Sequence, residues 1–169
     1  MAYRRTPRLT LHGMVVVSEL VDADLTAIGA AAAIGYRQNF AAQVGVQIRF
    51  GGGAAGVSVA TDGSSPKPTG STSMTELYGD VAAFLGPLGR FYLGPLLWYS
   101  HFTFADHAFQ PAGSPSAFVL PDAWKGGGGL DMGLLLLQRE QLDVNWRIKT
   151  TFNSQMPFRL EMGIGYHFM

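Results

Sequence analysis

The chain contains no cysteine, which excludes a disulfide framework, thiolate metal sites and a cysteine nucleophile. It is also poor in charge: Asp, Glu, Lys and Arg make up 14% of its 169 residues, against roughly a quarter in ordinary soluble domains. So few charges cover a soluble surface poorly. Neither sign dominates, with 12 basic and 12 acidic residues, which leaves no basic footprint for nucleic acid and no acidic tail. Long apolar runs are missing too. The longest small and apolar stretch, residues 27–36, is about half of the roughly 18 residues that a membrane helix needs, and glycine interrupts it. The opening Met1-Ala2-Tyr3-Arg4-Arg5 lacks the apolar core of a signal peptide, as expected of a cytoplasmic chain or of a mature form whose leader is replaced by Met.

What the chain does have is alternation. In the last dozen residues, FRLEMGIGYHFM, Phe158, Leu160, Met162, Ile164, Tyr166 and Phe168 alternate with Arg159, Glu161, Gly163, Gly165 and His167. A period of two puts the first set on one face of a β-strand and the second on the other. Val44, Val46, Ile48 and Phe50 alternate in the same way with Gln43, Gly45, Gln47 and Arg49, as do Leu142 to Phe152 with Asp143, Asn145, Arg147, Lys149 and Thr151. Similar patterns place strands over residues 9–17 and 76–85. Residues 26–39 are Ala-rich, but Gly29, Gly35 and the shared parity of Ile28, Ile34 and Tyr36 favour a strand there. Further strands are expected at 130–139 and at 90–104, where Pro95 removes a ladder donor and implies a bulge or kink. The total is eight strands.

Their connections divide by length. Short turns near residues 39–42, 86–89 and 140–141 fall at one end, while Gly- and Pro-rich stretches at about 51–73 and 105–129 fall at the end opposite the chain termini. Short turns at one rim, long loops at the other and an even strand number are features of outer-membrane barrels. Alternation alone leaves open whether the apolar face points inward, as in a soluble barrel, or outward to lipid. The polar face carries Gln43, Gln47, Arg49, Glu76, Asp80, Asp143, Arg147, Lys149, Arg159 and Glu161, with both signs in similar number, as ion pairing in a side-chain-filled lumen requires. Aromatics at Phe50, Trp146, Phe152, Phe158, Tyr166 and Phe168 are expected near strand ends, where a membrane girdle would lie. Folding the last two strands about residues 153–157 sets Lys149 roughly opposite Glu161 and Thr151 opposite Arg159.

The C-terminal strand resembles the recognition signal of bacterial outer-membrane β-barrels, with Leu160, Met162, Ile164, Tyr166 and Phe168 at alternate positions and Met169 added after the terminal aromatic. Over nearly its whole length the chain resembles the small eight-stranded barrels of the OmpX and OmpA-transmembrane-domain type. The resemblance implies an all-β, antiparallel up-and-down transmembrane barrel over residues 1–169. It also implies location in the bacterial outer membrane, contact with outer-membrane lipid and lipopolysaccharide, and recognition by the barrel assembly machinery through the last strand.

The function expected is non-enzymatic: a structural, surface-interaction or adhesion role with no cofactor and no metal. Arg49, Glu76, Asp80, Arg147, Lys149, Arg159 and Glu161 are expected to form a lumen ion-pair network carrying stability and register, an ion path being the other reading of the same residues. Phe109, Phe118 and Trp124, with Val119 and Leu120, are expected either to contact a surface partner or lipopolysaccharide, or to form the loop's own core. His101 and His107 flank Asp106, but at no spacing that matches a metal site. A lipid A or phospholipid-modifying enzyme would need Ser100 and His101 to cooperate, yet adjacent strand residues point to opposite faces. A soluble lipocalin-like carrier is the remaining alternative, and it lacks a Gly-x-Trp signature near the N-terminus. KGGGG (125–129) and GGG (51–53) lack the lysine-serine ending of a phosphate loop and are expected to be loop-to-strand hinges.

Overall fold

The computed structural model describes residues 8–20, 25–41, 44–59, 70–88, 91–113, 117–135, 142–151 and 159–168. Alternating sequence becomes strand: β1 (Arg8–Leu20), β2 (Leu25–Ala41), β3 (Val44–Val59), β4 (Ser71–Leu88), β5 (Phe91–Phe104), β6 (Ala108–Phe109), β7 (Phe118–Val119), β8 (Ala123–Leu135), β9 (Leu142–Thr151) and β10 (Arg159–His167). Eight of these close an antiparallel barrel in the order β1-β10-β9-β8-β5-β4-β3-β2, while β6 and β7 pair separately within the connection from β5 to β8. The last strand closes on the first, from Thr10 opposite His167 to Ser18 opposite Arg159. Closure leaves the barrel no unpaired edge.

Several boundaries differ from the sequence expectation. The stretches 51–73 and 105–129 are not wholly loop: β3 continues to Val59, β4 begins at Ser71 and β8 begins at Ala123. Glycine signals close approach here rather than a hinge. A Cβ at Gly51 would lie 2.2 Å from the carbonyl oxygen of Ala32, so this glycine lets β2 and β3 lie against each other. Pro95 causes no shift of register. Pairing of β4 with β5 lapses between Ala82 opposite Leu96 and Leu85 opposite Leu93 and resumes there in step, as expected where a missing N–H removes a bond without removing a residue; the register shifts only further on, between Leu85 and Leu88. In the final hairpin Arg159 stands opposite Lys149 and Glu161 opposite Arg147, two residues away from the expected pairing. The expected turns at 140–141 and 153–157 lie outside the described residues.

The aromatics are also arranged differently. Phe50 and Trp146 sit in mid-strand, Phe50 opposite Gly79 and Ile34, Trp146 opposite Met162 and Met132. Phe152 and Phe158 lie outside the described residues. Tyr166 and Phe168 stand exposed at the rim that carries the short turns, as expected, and Tyr36, Phe40 and Phe91 join them there.

The wall is apolar outside and charged inside. Val15, Ile34, Leu85, Leu97 and Ile164 are each between 57% and 62% exposed, whereas Arg49, Arg147, Lys149 and Glu161 are fully buried. A soluble fold has the reverse distribution. Hydrocarbon is the environment in which such an exterior is stable, because it asks no hydration of the apolar side chains and the closed ladder satisfies the backbone.

Candidate functional site

The alternation of β3, β4, β8, β9 and β10 aims charged side chains at one level of the lumen. Arg49 Nε donates to Asp80 Oδ1 at 2.7 Å and its Nη2 to Asp131 Oδ2 at 3.1 Å. Asp131 also accepts from Arg147 Nε at 3.3 Å, and Arg147 Nη1 reaches Glu161 Oε2 at 3.3 Å. Lys149 Nζ lies 2.7 Å from Glu161 Oε1 and 3.6 Å from Asp80 Oδ2. Arg159 bonds Glu161 through Nε at 2.9 Å and Glu76 through Nη2. Four cations therefore meet four carboxylates in one continuous, buried web. Charges desolvated this far are tolerated because nearly every one has more than one partner of opposite sign.

Toward the short-turn rim the filling changes character. The Arg37 guanidinium lies 4.1 Å from the centre of the Phe84 ring and 4.9 Å from that of Tyr92. Tyr92 donates its hydroxyl hydrogen to Asp143 Oδ2 at 2.6 Å, and the other Asp143 oxygen lies 3.3 Å from His167 Nε2. His167 meets His12 edge to face, and one nitrogen of His12 is held by Gln47 and Thr10. With Arg37 and Asp143 added, the buried charges among the described residues number five cations and five anions.

At the opposite end the lumen is apolar. Leu20, Leu25, Val57, Met74, Trp98, Phe102 and Phe104 form a buried cluster that Phe109 and Leu120, from the β5–β8 connection, complete from above. Phe118 packs against it. That connection is tied to the wall: Thr72 Oγ1 donates to Asp106 Oδ2 at 2.7 Å, the Phe104 amide to Asp122 Oδ1 at 3.0 Å and the Ala105 amide to the Ser73 carbonyl at 2.9 Å, while the Leu120 amide donates to the His107 carbonyl at 2.8 Å within it. Phe109 and Leu120 of the chain's own connection thus cap the apolar end of the lumen.

The structure brings together all seven charged residues singled out from the sequence. It adds Asp131, which the Gly- and Leu-rich surroundings concealed although its parity between Leu130 and Met132 points inward. Leu160, Met162, Ile164, Tyr166 and Phe168 share the outer face of the closing strand, or of its direct continuation for Phe168. Of the loop aromatics, Phe109 belongs to the mouth cluster and Phe118 packs against it, in line with the second of the two readings that the sequence leaves open, a core of the loop's own. Trp124 lies within β8 rather than in a loop, 61% exposed and stacked on Tyr99 at 5.0 Å. Ser100 is buried inside while His101 packs on Trp124 outside. His107 faces Leu120 and Asp122, away from the Thr72–Asp106 bond.

An apolar exterior around an ion-paired lumen defines a small transmembrane β-barrel. The chain matches no protein-family model and no curated protein. Its fold is similar to that of eight-stranded outer-membrane proteins of known structure. Ail of Yersinia pestis, in a phospholipid bilayer nanodisc, aligns at 14% identity and TM-score 0.56 over 96% of this chain and 100% of that one. OprG of Pseudomonas aeruginosa aligns at 16% identity and TM-score 0.53 over 98% and 97%, and Neisserial surface protein A at 10% and 0.52 over 95% and 95%. Ail is also known in complex with the heparin analogue sucrose octasulfate.

Proposed function

We propose that this chain is a non-enzymatic protein of a bacterial outer membrane, assembled through its C-terminal strand by the barrel assembly machinery. Its lumen is a structural filling and its working surface is the outer end. The observation that carries this reading is the apolar cap: Phe109 and Leu120 pack in one buried cluster with Leu25, Val57 and Phe102, so the described parts of the connection at 105–122 are held against the outer end of the barrel. The ion-pair network beneath holds the wall rigid and sets its register.

The chemistry of that outer end narrows the partner. The connections at 21–24, 60–70, 105–122 and 152–158 contain Asp22, Asp24, Asp62, Asp106 and Asp122 against a single cation, Lys67. A polyanion such as the heparin analogue bound by Ail would be repelled by this balance. A basic or neutral partner fits better, with exposed Val119 as an apolar contact. The test is retention of intact cells displaying the chain on surfaces coated with poly-lysine-rich protein, neutral glycan or heparin, compared with cells in which 105–122 is replaced by a short Gly-Ser connection. Loss of retention with the replacement, at unchanged outer-membrane level, supports the surface role; identical retention overturns it.

A further inference from the structure

Every buried charge among the described residues has an ion-pairing neighbour except Arg37: the other cations and carboxylates stand in the web, and Asp143 faces His167. Arg37 is 5% exposed, and its Nη1 has no hydrogen-bond partner among the described residues. The ladder offers it no carboxylate, because its neighbours on the inner face are Arg8 across β1 and Gln47 across β3. The Phe84 and Tyr92 rings beside the guanidinium balance part of its charge through their faces, which carry no acceptor oxygen. Tyr92 turns its hydroxyl to Asp143, whose other oxygen goes to His167. Both rings are held in place, since the space that a Cβ at Gly45 or at Gly133 would take is filled by Phe84 and by Tyr92. The surroundings of this end are basic. The segments outside the strands there, 1–7, 42–43, 89–90 and 136–141, contain Arg4, Arg5, Arg90 and Arg139 against Glu140, the reverse of the acidic outer end.

We propose that Arg37 and Asn39 form the receptor for one small soluble oxyanion, a carboxylate or a phosphate group, that enters the lumen from the short-turn rim. A guanidinium held against two rings donates in a fixed fork that matches either group. Asn39, next on the inner face toward the rim, is buried with an Oδ1 that has no partner, so its amide can turn its NH2 to the same anion. The wall decides the source. Arg37 lies on the inner face and the adjacent Tyr36 on the outer, 46% exposed, so a lipid headgroup beside the barrel meets Tyr36 and not Arg37. Between Arg37 and the outer end stand the ion-pair web and then the apolar cluster, so the anion is seated and not passed on. The binding needs only the closed barrel, whereas a periplasmic origin of the solute rests on the outer-membrane reading above.

The test is titration of the full chain, refolded in uncharged dodecyl maltoside, with sodium phosphate or sodium acetate at constant ionic strength, followed by NMR of the Arg37 side chain and of the Tyr92 and His167 amides. Saturable shifts at these groups are expected with either anion. Arg37→Gln is expected to lower the affinity at least roughly tenfold, the worth of one charge-assisted hydrogen bond, while Lys67→Gln in an outer connection leaves it unchanged. Arg37→Lys keeps the charge without the fork and is expected to fall between parent and Arg37→Gln, so a glutamine variant that fails to fold does not end the test. Folding is read from the mobility difference between boiled and unboiled samples. Shifts that do not saturate, or that chloride reproduces, mean that water alone meets Nη1 and overturn the proposal, as does equal affinity of the parent and the folded Arg37 variants. Nanodiscs of phosphatidylcholine with and without phosphatidylglycerol separate the sources: a shift of the Arg37 signal by phosphatidylglycerol alone would make a lipid headgroup the ligand and overturn the soluble one. Labelling of Lys67→Cys on intact cells by a membrane-impermeant maleimide is expected; its absence would overturn the orientation, and with it the periplasmic origin, while the titration stands.

Discussion

Lys149 and Glu161 do not face each other across the β9–β10 ladder, yet Lys149 Nζ and Glu161 Oε1 are 2.7 Å apart. The ladder instead sets Lys149 opposite Arg159, two cations side by side in a buried wall. Glu161, one pleat along, reaches both, and also Arg147. The diagonal carboxylate is what makes that like-charge pairing tolerable.

Removing that carboxylate charge while keeping its shape leaves three cations short of a partner inside the wall. Glu161→Gln is expected to lower stability by about 3–5 kcal/mol, the cost of breaking a buried pair. Urea unfolding in phospholipid vesicles measures it. A change below about 1 kcal/mol would mean that the lumen is wet enough to screen the network.

The mouth cluster is expected to open separately from the barrel. Phe109→Ala deletes a buried ring, a loss of about 3–5 kcal/mol where it is felt in full, but the ladder does not depend on it. Limited proteolysis should then cut within 105–122 while the mobility difference between boiled and unboiled protein persists. Loss of that difference would show that the plug and barrel form one cooperative unit.

Glycine in the wall is a matter of space. A Cβ at Gly94 would lie 1.6 Å from the Ala83 carbonyl oxygen, whereas one at Gly56 meets nothing within 4 Å. Gly94→Ala is expected to destabilise by about 1–3 kcal/mol, as overpacking does, and Gly56→Ala to stay within about 0.5 kcal/mol. Equal effects on refolding yield and urea midpoint would contradict this.

The strands and their inward faces were legible because a period of two needs no tertiary information, and seven of the eight web charges stand on alternating segments. Asp131 was not, since glycine and leucine on both sides blur its parity. The extents of β3 and β8 differ from the expectation because glycine runs read as loops, and only their neighbours, Ala32 and Ala33 beside Gly51 and Ile148 beside Gly129, show that they are close-packed wall. The facing of β5 could not be read from a strand that is aromatic on both faces; the structure turns Tyr92, Trp98 and Phe102 inward and Phe91 and Tyr99 outward. The hairpin register was missed by two residues because alternation fixes parity and leaves shifts of two free. The loop plug had only composition behind it, which equally fits an exposed contact patch.

The central claim is that the apolar exterior faces lipid. Val15 is 58% exposed, in mid-β1 between Ala30 and Met162, far from the ion-pair web on the other face. The measurement that tests the claim most directly is the unfolding free energy of Val15→Arg relative to the parent in phospholipid vesicles. A loss of about 2–4 kcal/mol is predicted for a charge placed near the bilayer midplane; a change within about 0.5 kcal/mol, as at a solvated surface, would contradict it.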